Sequence, residues 1–426
     1  MPDLTPAKKF YWGASTSSHQ VEGNTHNDWT EWERKNADRL AEGAHLKFGW
    51  LGKIWERVRV QAEHPENYLS GSACDHYRRF KDDFDMARSL GHNAHRFSLE
   101  WSRIEPEEGK FDEKEIEHYR DVIKALRERG MEPFVTLWHW TLPLWVRNQG
   151  GWENKKTIQD FVLYAEKIVE LLGEHITFWI PLNEPSVYIG LGYVMGKFPP
   201  EVKDYRKANA VLKNLIEAHK LTYALIHKKF GERVSVGNAY NLHWHVPARS
   251  WNIFDILVVQ VIDYIRDSRP ISLAKGHQDF IGVNYYFRDK VKFVGWGGKF
   301  GPVDAVNTNA HVSDIGWDIA PEGLYHTLKK AAKFGKPIYI TENGIADATD
   351  EKRAQFIKDS IYWMREAIAD GVDVRGYFYW SLLDNFEWAE GFWPRFGLVE
   401  VDYKTMERKI RPSAYAYKKV IEESKQ

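Results

Sequence analysis

The sequence predicts an α/β fold, a single (β/α)8 barrel of the TIM type with long loops on its C-terminal face. Eight runs of apolar, β-branched and aromatic residues have the length of strands, and stretches with helical periodicity separate them. Strands that alternate with helices run parallel, and eight of them close a barrel. A doubly wound open sheet is the alternative. The turn after the first run, however, lacks the Gly-x-Gly-x-x-Gly cradle of such sheets.

The elements follow in chain order. The eight predicted strands begin at Phe10, Asn93, Pro133, Ile176, Arg233, Asp279, Pro337 and Val374. Residues 77–90 are predicted to form a helix that ends at Gly91, directly before the second strand. Asp350 is predicted to cap the helix between the last two strands, whose apolar positions are Ile357, Ile361, Met364 and Ile368.

The chain is predicted to form one domain over residues 1–426. It contains no Ser/Gly-rich or Pro-rich linker and no internal repeat. A barrel usually needs about 250 residues, so the excess must lie in loops and extra helices. Three regions contain much of it, residues 36–71, 242–278 and 287–317. Each follows a strand, so we expect all three on the C-terminal face, where such barrels place their sites.

The composition excludes several classes of protein. The chain has 59 Lys and Arg against 60 Asp and Glu, without a clustered basic stretch. Binding to nucleic acid or to an anionic membrane is therefore not expected. The single cysteine, Cys74, cannot form an intramolecular disulfide, and no apolar run has the length of a membrane span or signal peptide. These features predict a soluble, cytoplasmic protein, and they do not indicate its oligomeric state.

No metal and no cofactor is predicted. The closest histidine pair is His243 and His245, and we expect no Asp or Glu from another strand end to join it. A metal-dependent barrel hydrolase is therefore a weaker hypothesis.

Polar side chains follow seven of the eight predicted strands. If the barrel closes, these side chains converge on one pocket. A single Asn or Glu at a strand end is usually a turn or a helix cap, but seven strands together indicate a site. The candidates are Gln20, Arg96, His139, Asn183, Glu184, Asn284, Tyr286, Glu342, Trp380, Glu387 and Trp388.

Two glutamates among them, Glu184 and Glu342, end the fourth and seventh strands. They could be capping carboxylates. A buried pair of acids without metal ligands is, however, what glycoside cleavage requires. One acid protonates the leaving oxygen, while the other attacks the sugar or activates water. The amide, imidazole and indole groups around them suit a ring with many hydroxyls.

Tryptophan is unusually frequent, with 19 residues in a chain that is 15% aromatic. A flat indole face packs well on the apolar side of a sugar ring. Further tryptophans at or beyond strand ends could line the path of the leaving group or merely pack. They are Trp101, Trp138, Trp140, Trp145, Trp244, Trp296 and Trp393.

Nine motifs in order along almost the whole chain resemble glycoside hydrolase family 1, the β-glucosidase and β-galactosidase family. No single motif decides the resemblance, but their order and spacing do. They are SSHQVEG at Ser17, CDHY at Cys74, HRFSLEWSR at His95, TLWHW at Thr136, LNEP at Leu182, GVNYY at Gly282, ITENG at Ile340, YWSLLDNFEW at Tyr379 and RFGLVEVDY at Arg395.

The resemblance implies a retaining double displacement with Glu342 as nucleophile and Glu184 as acid/base. Retention expects the two carboxyl groups about 5–5.5 Å apart, where the charge of Glu342 would raise the pKa of Glu184. Arg96 and Tyr286 match the family's charge partner and hydroxyl donor to the nucleophile. Asn183 matches the ligand of the sugar 2-hydroxyl.

The outer part of the sugar is assigned in the same way. Gln20, His139, Glu387 and Trp388 match ligands of the outer hydroxyls, and Trp380 matches the stacking platform. Family members that cleave 6-phosphorylated glycosides replace the acid at position 387, whose charge would repel a phosphate. A non-phosphorylated sugar is therefore favoured. Asn284, the remaining candidate, is assigned to substrate binding.

The resemblance implies an exo-acting enzyme of the β-glucosidase type. Its substrate would be a small β-glycoside or oligosaccharide, most often a β-glucoside, with β-galactosides and β-fucosides as side substrates. A transglycosylating β-glycosidase and a non-catalytic carbohydrate-binding barrel are the alternatives. Pro181, Thr141 and residues 36–71 depart from the family pattern. A helix in that last region could cover the side where the leaving group binds or lie on the surface.

Overall fold

The computed structural model of the chain describes residues 9–295, 303–305 and 311–424. Fourteen strands lie within this part of the chain, and most of them are short. They are β1 (Tyr11–Ser15), β2 (Ala94–Ser98), β3 (Glu132–Trp138), β4 (Phe178–Leu182), β5 (Ser235–Val236), β6 (Ala239–Asn241), β7 (Trp244–Pro247), β8 (Ile281–Tyr285), β9 (Arg288–Phe293), β10 (Val303–Ala305), β11 (Ile338–Asn343), β12 (Val374–Trp380), β13 (Val399–Val401) and β14 (Arg408–Ile410).

Helices alternate with these strands. They are α1 (Ser18–Val21), α2 (Asp28–Phe48), α3 (Lys53–Ala62), α4 (His76–Ser89), α5 (Trp101–Ile104), α6 (Glu113–Glu128), α7 (Leu144–Asn148), α8 (Lys156–Leu172), α9 (Pro185–Ile189), α10 (Tyr205–Phe230), α11 (Ile253–Ile262), α12 (Arg269–Leu273), α13 (Gly323–Ala332), α14 (Arg353–Ala369) and α15 (Pro412–Glu423). Several begin at a capping side chain. Asp204, for example, accepts hydrogen bonds from two backbone N–H groups at the start of α10.

The main sheet is a closed ring of parallel strands. Its order is β5-β4-β3-β2-β1-β12-β11-β8-β6. The two ends of this order, β5 and β6, are halves of one strand that is interrupted at Gly237 and Asn238. Because β5 pairs with β4 and β6 pairs with β8, the interrupted strand closes the barrel. A bridge between Asn183 and Ala239 joins β4 to β6 at the C-terminal end.

Each of the eight predicted runs contains a strand of this barrel, so the predicted fold class is confirmed. The fifth run is the irregular one. Its two short halves are held partly by the Asn238 side chain, which accepts a hydrogen bond from the Leu182 backbone N–H at 3.0 Å. Asn238 is completely buried, so its amide replaces part of the strand pairing that the interruption removes.

The two predicted helices have the expected positions, although one cap is wrong. Helix α4 covers the predicted residues 77–90 almost completely. At α14, the Asp347 carboxylate accepts the first backbone N–H groups, at 2.8 and 3.0 Å. Asp350, the predicted cap, instead accepts hydrogen bonds from Ser413 at the start of α15. Ile368, predicted to face the core, is 38% exposed.

Aromatic side chains fill the N-terminal half of the barrel. Phe134 and Phe178, from adjacent strands, stack with ring centroids 4.1 Å apart. Phe378 and Tyr339 pack on Phe134 from the opposite side of the ring. This packed layer leaves the C-terminal end of the barrel as the place where polar groups can collect.

The three predicted loop regions follow β1, the fifth barrel strand and β8, as expected. The first contains most of α2, then α3 and a 3₁₀ helix, Pro65–Tyr68. The second contains α11, which exposes Phe254 and Leu257 to solvent. Part of the third, residues 296–302 and 306–310 with Trp296, lies outside the described residues. Within the described part, no helix is long and apolar enough to cross a membrane.

Candidate active site

The strand register brings polar side chains together at the C-terminal end of the barrel. Asn241 of β6 pairs with Asn284 of β8, and Asn284 pairs with Glu342 of β11. The three residues therefore lie side by side at one level. Just beyond, a Cβ at Gly344 would come 1.9 Å from the carbonyl oxygen of Trp380, so the close approach of β11 and β12 requires glycine.

Glu342 is buried and held at both carboxylate oxygens. The Arg96 guanidinium contacts Oε1, and the Tyr286 hydroxyl donates to Oε2 at 2.5 Å. Arg96 is itself only 1% exposed. A buried carboxylate with both oxygens bonded, one of them in an ion pair, keeps a fixed position and orientation.

Tyr286 remains a hydrogen-bond donor under ordinary conditions. Its burial and the nearby charge of Glu342 raise the pKa of the hydroxyl well above its usual value. The phenol therefore keeps its proton and donates it in the hydrogen bond to the Glu342 carboxylate.

Glu184 is the second residue after β4 and has a left-handed backbone, with φ of 45°. Its Oε1 accepts hydrogen bonds from the side-chain amides of Asn284 at 2.7 Å and Asn241 at 3.1 Å. Burial, followed by the charge of Glu342, raises the pKa of Glu184 to about 8, against the lowering effect of the two amides. Glu184 is therefore mainly protonated at neutral pH. Because Oε1 accepts two N–H bonds, the proton belongs on Oε2.

Asn183 links the two glutamates. Its Oδ1 accepts from Arg96 at 2.6 Å and from Asn284 at 3.3 Å, which fixes the orientation of its amide. Its Nδ2 therefore donates to Nε2 of His139 at 3.0 Å. The hydrogen-bonded path thus runs from Glu184 through Asn284, Asn183 and Arg96 to Glu342.

His139 is a neutral donor that faces this site. Since its Nε2 accepts from Asn183, the proton lies on Nδ1. Burial, and then the charge of Arg96, hold the pKa of the imidazole well below its usual value. Among the described residues, Nδ1 has no hydrogen-bond partner. A buried N–H without a partner is available to a ligand.

Gln20 and Glu387 form a second polar group beside the first. Gln20 Nε2 donates to the carbonyl oxygen of Phe386 at 2.8 Å and approaches Glu387 Oε2 at 3.4 Å. Burial, and then the charge of Glu390, raise the pKa of Glu387 to about 8. The predicted repulsion of a phosphate by the charge of Glu387 is therefore weak at neutral pH.

Two tryptophans pack beside these polar groups. Trp380 ends β12, and its ring lies 6.2 Å from the His139 ring at an angle of 26°. Trp388 lies 6.0 Å from the same histidine and 4.8 Å from Trp140. The indole of Trp140 donates to the backbone oxygen of Asn183 at 3.1 Å, so this tryptophan also supports the site.

All eleven candidates from the sequence lie in or beside this one network. Sequence reasoning missed Asn241 and Thr341, whose hydroxyl donates to Asn284 at 2.6 Å. The signal for Asn241 was present, because it ends the fifth strand, the one strand without a candidate. The expected separation of the two carboxyl groups, about 5–5.5 Å, stays a prediction.

The prediction that no Asp or Glu from another strand end joins His243 and His245 stays a prediction, but two aspartates of the helical segment Asp263–Ser268 do approach the pair. They are Asp267, at 3.4 Å from His243 Nδ1, and Asp263, at 2.6 Å from His245 Nδ1. His245 and the two aspartates are spaced closely enough to hold a metal ion. The ammonium group of Lys330, however, lies 2.6 Å from both carboxylates and already provides the positive charge there.

Comparisons with known proteins agree with this geometry. Residues 4–257 and 263–426 match the family model for glycosyl hydrolase family 1. Beta-glucosidase A of Acetivibrio thermocellus is 33% identical over 99% of both chains, and a beta-galactosidase of Pyrococcus woesei is 30% identical over 94% of both.

Solved structures show the same relation. A beta-glycosidase from Pyrococcus horikoshii superposes with a TM-score of 0.85 at 38% identity, over 97% of this chain and 93% of that chain. The beta-glucosidase from Thermotoga maritima in complex with glucoimidazole superposes with a TM-score of 0.86 at 30% identity, over 98% of both. The chain therefore belongs to glycosyl hydrolase family 1.

Proposed function

We propose that the protein is a retaining exo-β-glycosidase that hydrolyses terminal, non-reducing β-D-glycosyl residues, with β-glucosides as main substrates. Full-length relatives named beta-glucosidase support the glucoside, and relatives named beta-galactosidase support a galactoside side activity. The beta-glucosidase from Thermotoga maritima was solved with glucoimidazole, noeuromycin and deoxynojirimycin, which supports a small sugar as the ligand of this pocket.

One observation carries the proposal. Two buried carboxyl groups share one hydrogen-bonded network but have different partners, a guanidinium for Glu342 and two amides for Glu184. Glu342 is paired with the Arg96 guanidinium, while the raised pKa of Glu184, about 8, keeps this group protonated. Glycoside cleavage with retention needs this combination of a carboxylate nucleophile and a carboxylic acid.

In the first step, a carboxylate oxygen of Glu342 attacks the anomeric carbon and forms an ester bond. The bond from that carbon to the leaving oxygen breaks, and Glu184 gives its proton to this oxygen. Because Arg96 and Tyr286 hold Glu342 at both oxygens, it has few alternative positions before it attacks.

In the second step, Glu184 acts as a base. The ester has removed the negative charge of Glu342, which is the second largest cause of the raised pKa of Glu184. That pKa therefore falls, and the ionised Glu184 takes a proton from water as the water oxygen attacks the anomeric carbon. The ester bond breaks and Glu342 leaves as a carboxylate, so configuration is retained after two inversions.

The remaining residues are proposed to bind the sugar. Asn183, oriented by Arg96, is assigned to the 2-hydroxyl, where a bond that strengthens in the transition state accelerates the reaction. The outer hydroxyls are assigned to Gln20, His139, Glu387 and Trp388, and the free Nδ1–H of His139 supports this assignment. Trp380 would stack on the ring, and Asn284, which donates to Glu184, would bind the substrate beside it.

The test is the configuration of the first sugar released. We expect NMR spectra of a reacting aryl β-glucoside to show β-glucose first and α-glucose only after mutarotation. Initial appearance of α-glucose would exclude the retaining mechanism. A panel of aryl β-glycosides would rank glucoside, galactoside and fucoside by kcat/KM.

We further propose that residues 1–426 form one domain and that the protein is cytoplasmic. The closed barrel, with α15 packed against its first and last strands through Tyr417, supports the first proposal. The single cysteine, Cys74, is buried as a free thiol, which supports a reducing compartment.

A further inference from the structure

The 3₁₀ helix Pro65–Tyr68 contacts the turn that carries Glu387 and Trp388. Asn67, only 5% exposed, makes three hydrogen bonds to this turn. Its Nδ2 donates to the carbonyl oxygen of Glu390 at 3.1 Å. Its backbone oxygen and its Oδ1 both accept from the Phe392 backbone N–H, at 3.1 and 3.0 Å. Asn67 therefore holds the C-terminal side of the turn.

The turn needs this external support because its backbone is strained. Trp388 has φ of 50°, a left-handed value that is unfavourable for a bulky residue. The backbone N–H of Glu387 donates to the oxygen of Gly391 at 2.7 Å, which closes the turn on itself. A Cβ at Gly391 would lie 2.1 Å from the Asn67 oxygen, so the two segments are in direct contact.

Ser70, two residues after this 3₁₀ helix, also supports the indole of Trp388, through Glu33 and His19. The backbone N–H and hydroxyl of Ser70 donate to Oε2 of Glu33 at 2.8 and 2.7 Å. Oε1 of Glu33 contacts His19 Nε2 at 2.7 Å. The His19 ring in turn stacks on Trp388, with centroids 5.4 Å apart and an angle of 14°.

Lys47 of α2 makes a further contact between this region and the turn. Its ammonium group pairs with the carboxylate of Glu390, three residues after Glu387. Residues 36–71, whose role the sequence left open, thus hold the turn at Glu390 and Phe392 and, through Glu33 and His19, at Trp388.

We propose that Asn67 is a positioning residue for the sugar pocket, one that acts through Glu387 and Trp388 without touching the sugar. This inference rests on the proposed function, because it assigns Glu387 and Trp388 to substrate binding. A displacement of about 1 Å at a binding group can cost about 100-fold in rate. Removing Asn67 frees the strained turn, so the two ligands lose their fixed position.

The experiment is a double-mutant cycle on kcat/KM for an aryl β-glucoside. We expect Asn67→Ala to lower kcat/KM by about 10- to 100-fold in the otherwise unchanged enzyme. In a Glu387→Gln background, the same change should cost less, about 3-fold, because only its effect through Trp388 remains. The matched control is Asn214→Ala, which removes a buried amide that bonds the Trp152 oxygen at 2.9 Å, outside the site.

Asn67→Asp is the second variant, in case the alanine variant does not fold. It has the same shape and keeps the acceptor for Phe392, but it loses the donor to Glu390. We expect it to lower kcat/KM by at least about 5-fold with an unchanged circular dichroism spectrum.

Two results would overturn the proposal. One is a kcat/KM within 2-fold of the parent enzyme for both Asn67 variants. The other is a loss of equal size with and without Glu387→Gln, which would mean that Asn67 acts independently of this ligand. An inactive parent enzyme would instead refute the proposed function itself, so the two failures are distinguishable.

Discussion

Asn241→Leu should move the alkaline limb of activity to higher pH. Asn241 donates to Glu184 at 3.1 Å, and this bond stabilises the ionised form of the glutamate. A hydrogen bond to a charged group contributes about 1.5–3 kcal/mol, and 1.36 kcal/mol corresponds to one pH unit. Because Asn284 still donates at 2.7 Å, the loss should lie at the low end. We therefore expect the pKa of Glu184 to rise from about 8 to about 9.

The sign follows from the role of Glu184 as an acid. It must be protonated to assist the leaving group, so kcat/KM falls as pH rises through its pKa. With a nitrophenyl or alkyl β-glucoside, the parent enzyme should lose half its kcat/KM near pH 8, the pKa of Glu184. The variant should do so about one pH unit higher. A dinitrophenyl leaving group needs little protonation, so its limb should be weak in both enzymes.

Leucine is the appropriate replacement because it has nearly the shape of asparagine. The Oδ1 of Asn241 has no partner among the described residues, so the change leaves no other polar group without its bond. Asn214→Leu, a buried change outside the site, is the matched control and should leave the limb in place. A limb that stays at its original pH, or moves lower, in Asn241→Leu would refute this account of Glu184.

Three further predictions concern other residues. Glu342→Ala should lower kcat for aryl β-glucosides by about 10⁴-fold or more. Azide should restore turnover of this variant, with an α-glycosyl azide as product. Glu184→Ala with azide should give the β-glycosyl azide. Substantial activity of Glu342→Ala without azide would falsify the nucleophile assignment. Glu387→Ser should lower kcat/KM for the glucoside by about 10- to 100-fold, but urea unfolding should change little; equal losses in both would indicate a structural role. Lys330→Met should lower the free energy of unfolding by about 3 kcal/mol, because it leaves the buried Asp267 without its cation; unchanged urea unfolding would contradict this.

The strands and the site could be predicted because both follow from local patterns. A barrel strand buried on both faces is a short apolar run, and β3 is buried at every residue. Once parallel strands are assumed, the residues after them must converge. Arg96 and Glu342, 246 positions apart, therefore meet as an ion pair without any long-range signal in the sequence.

Contacts between loops could not be predicted in this way. In the sequence, Asp347 and Asp350 are equally plausible caps for α14. Ser413, 63 residues after Asp350, donates to the Asp350 carboxylate, and Asp347 accepts the first backbone N–H groups of α14. Similarly, the environment of His243 depends on Lys330, which reaches it from another barrel helix. Such pairings depend on the paths of long inserts, for which no periodic pattern exists.

The protonation of Glu184 lies between these two cases. Its position at a strand end is local information, and the family resemblance implies its role. The cause of its raised pKa is mainly burial, which the motifs do not indicate, with the charge of Glu342 second. The order matters for the second step. Because burial is the larger cause, forming the ester removes only the smaller one, so the pKa of Glu184 falls but stays above that of a free glutamate. A base of this strength accepts a proton from water more readily than a fully solvated carboxylate would.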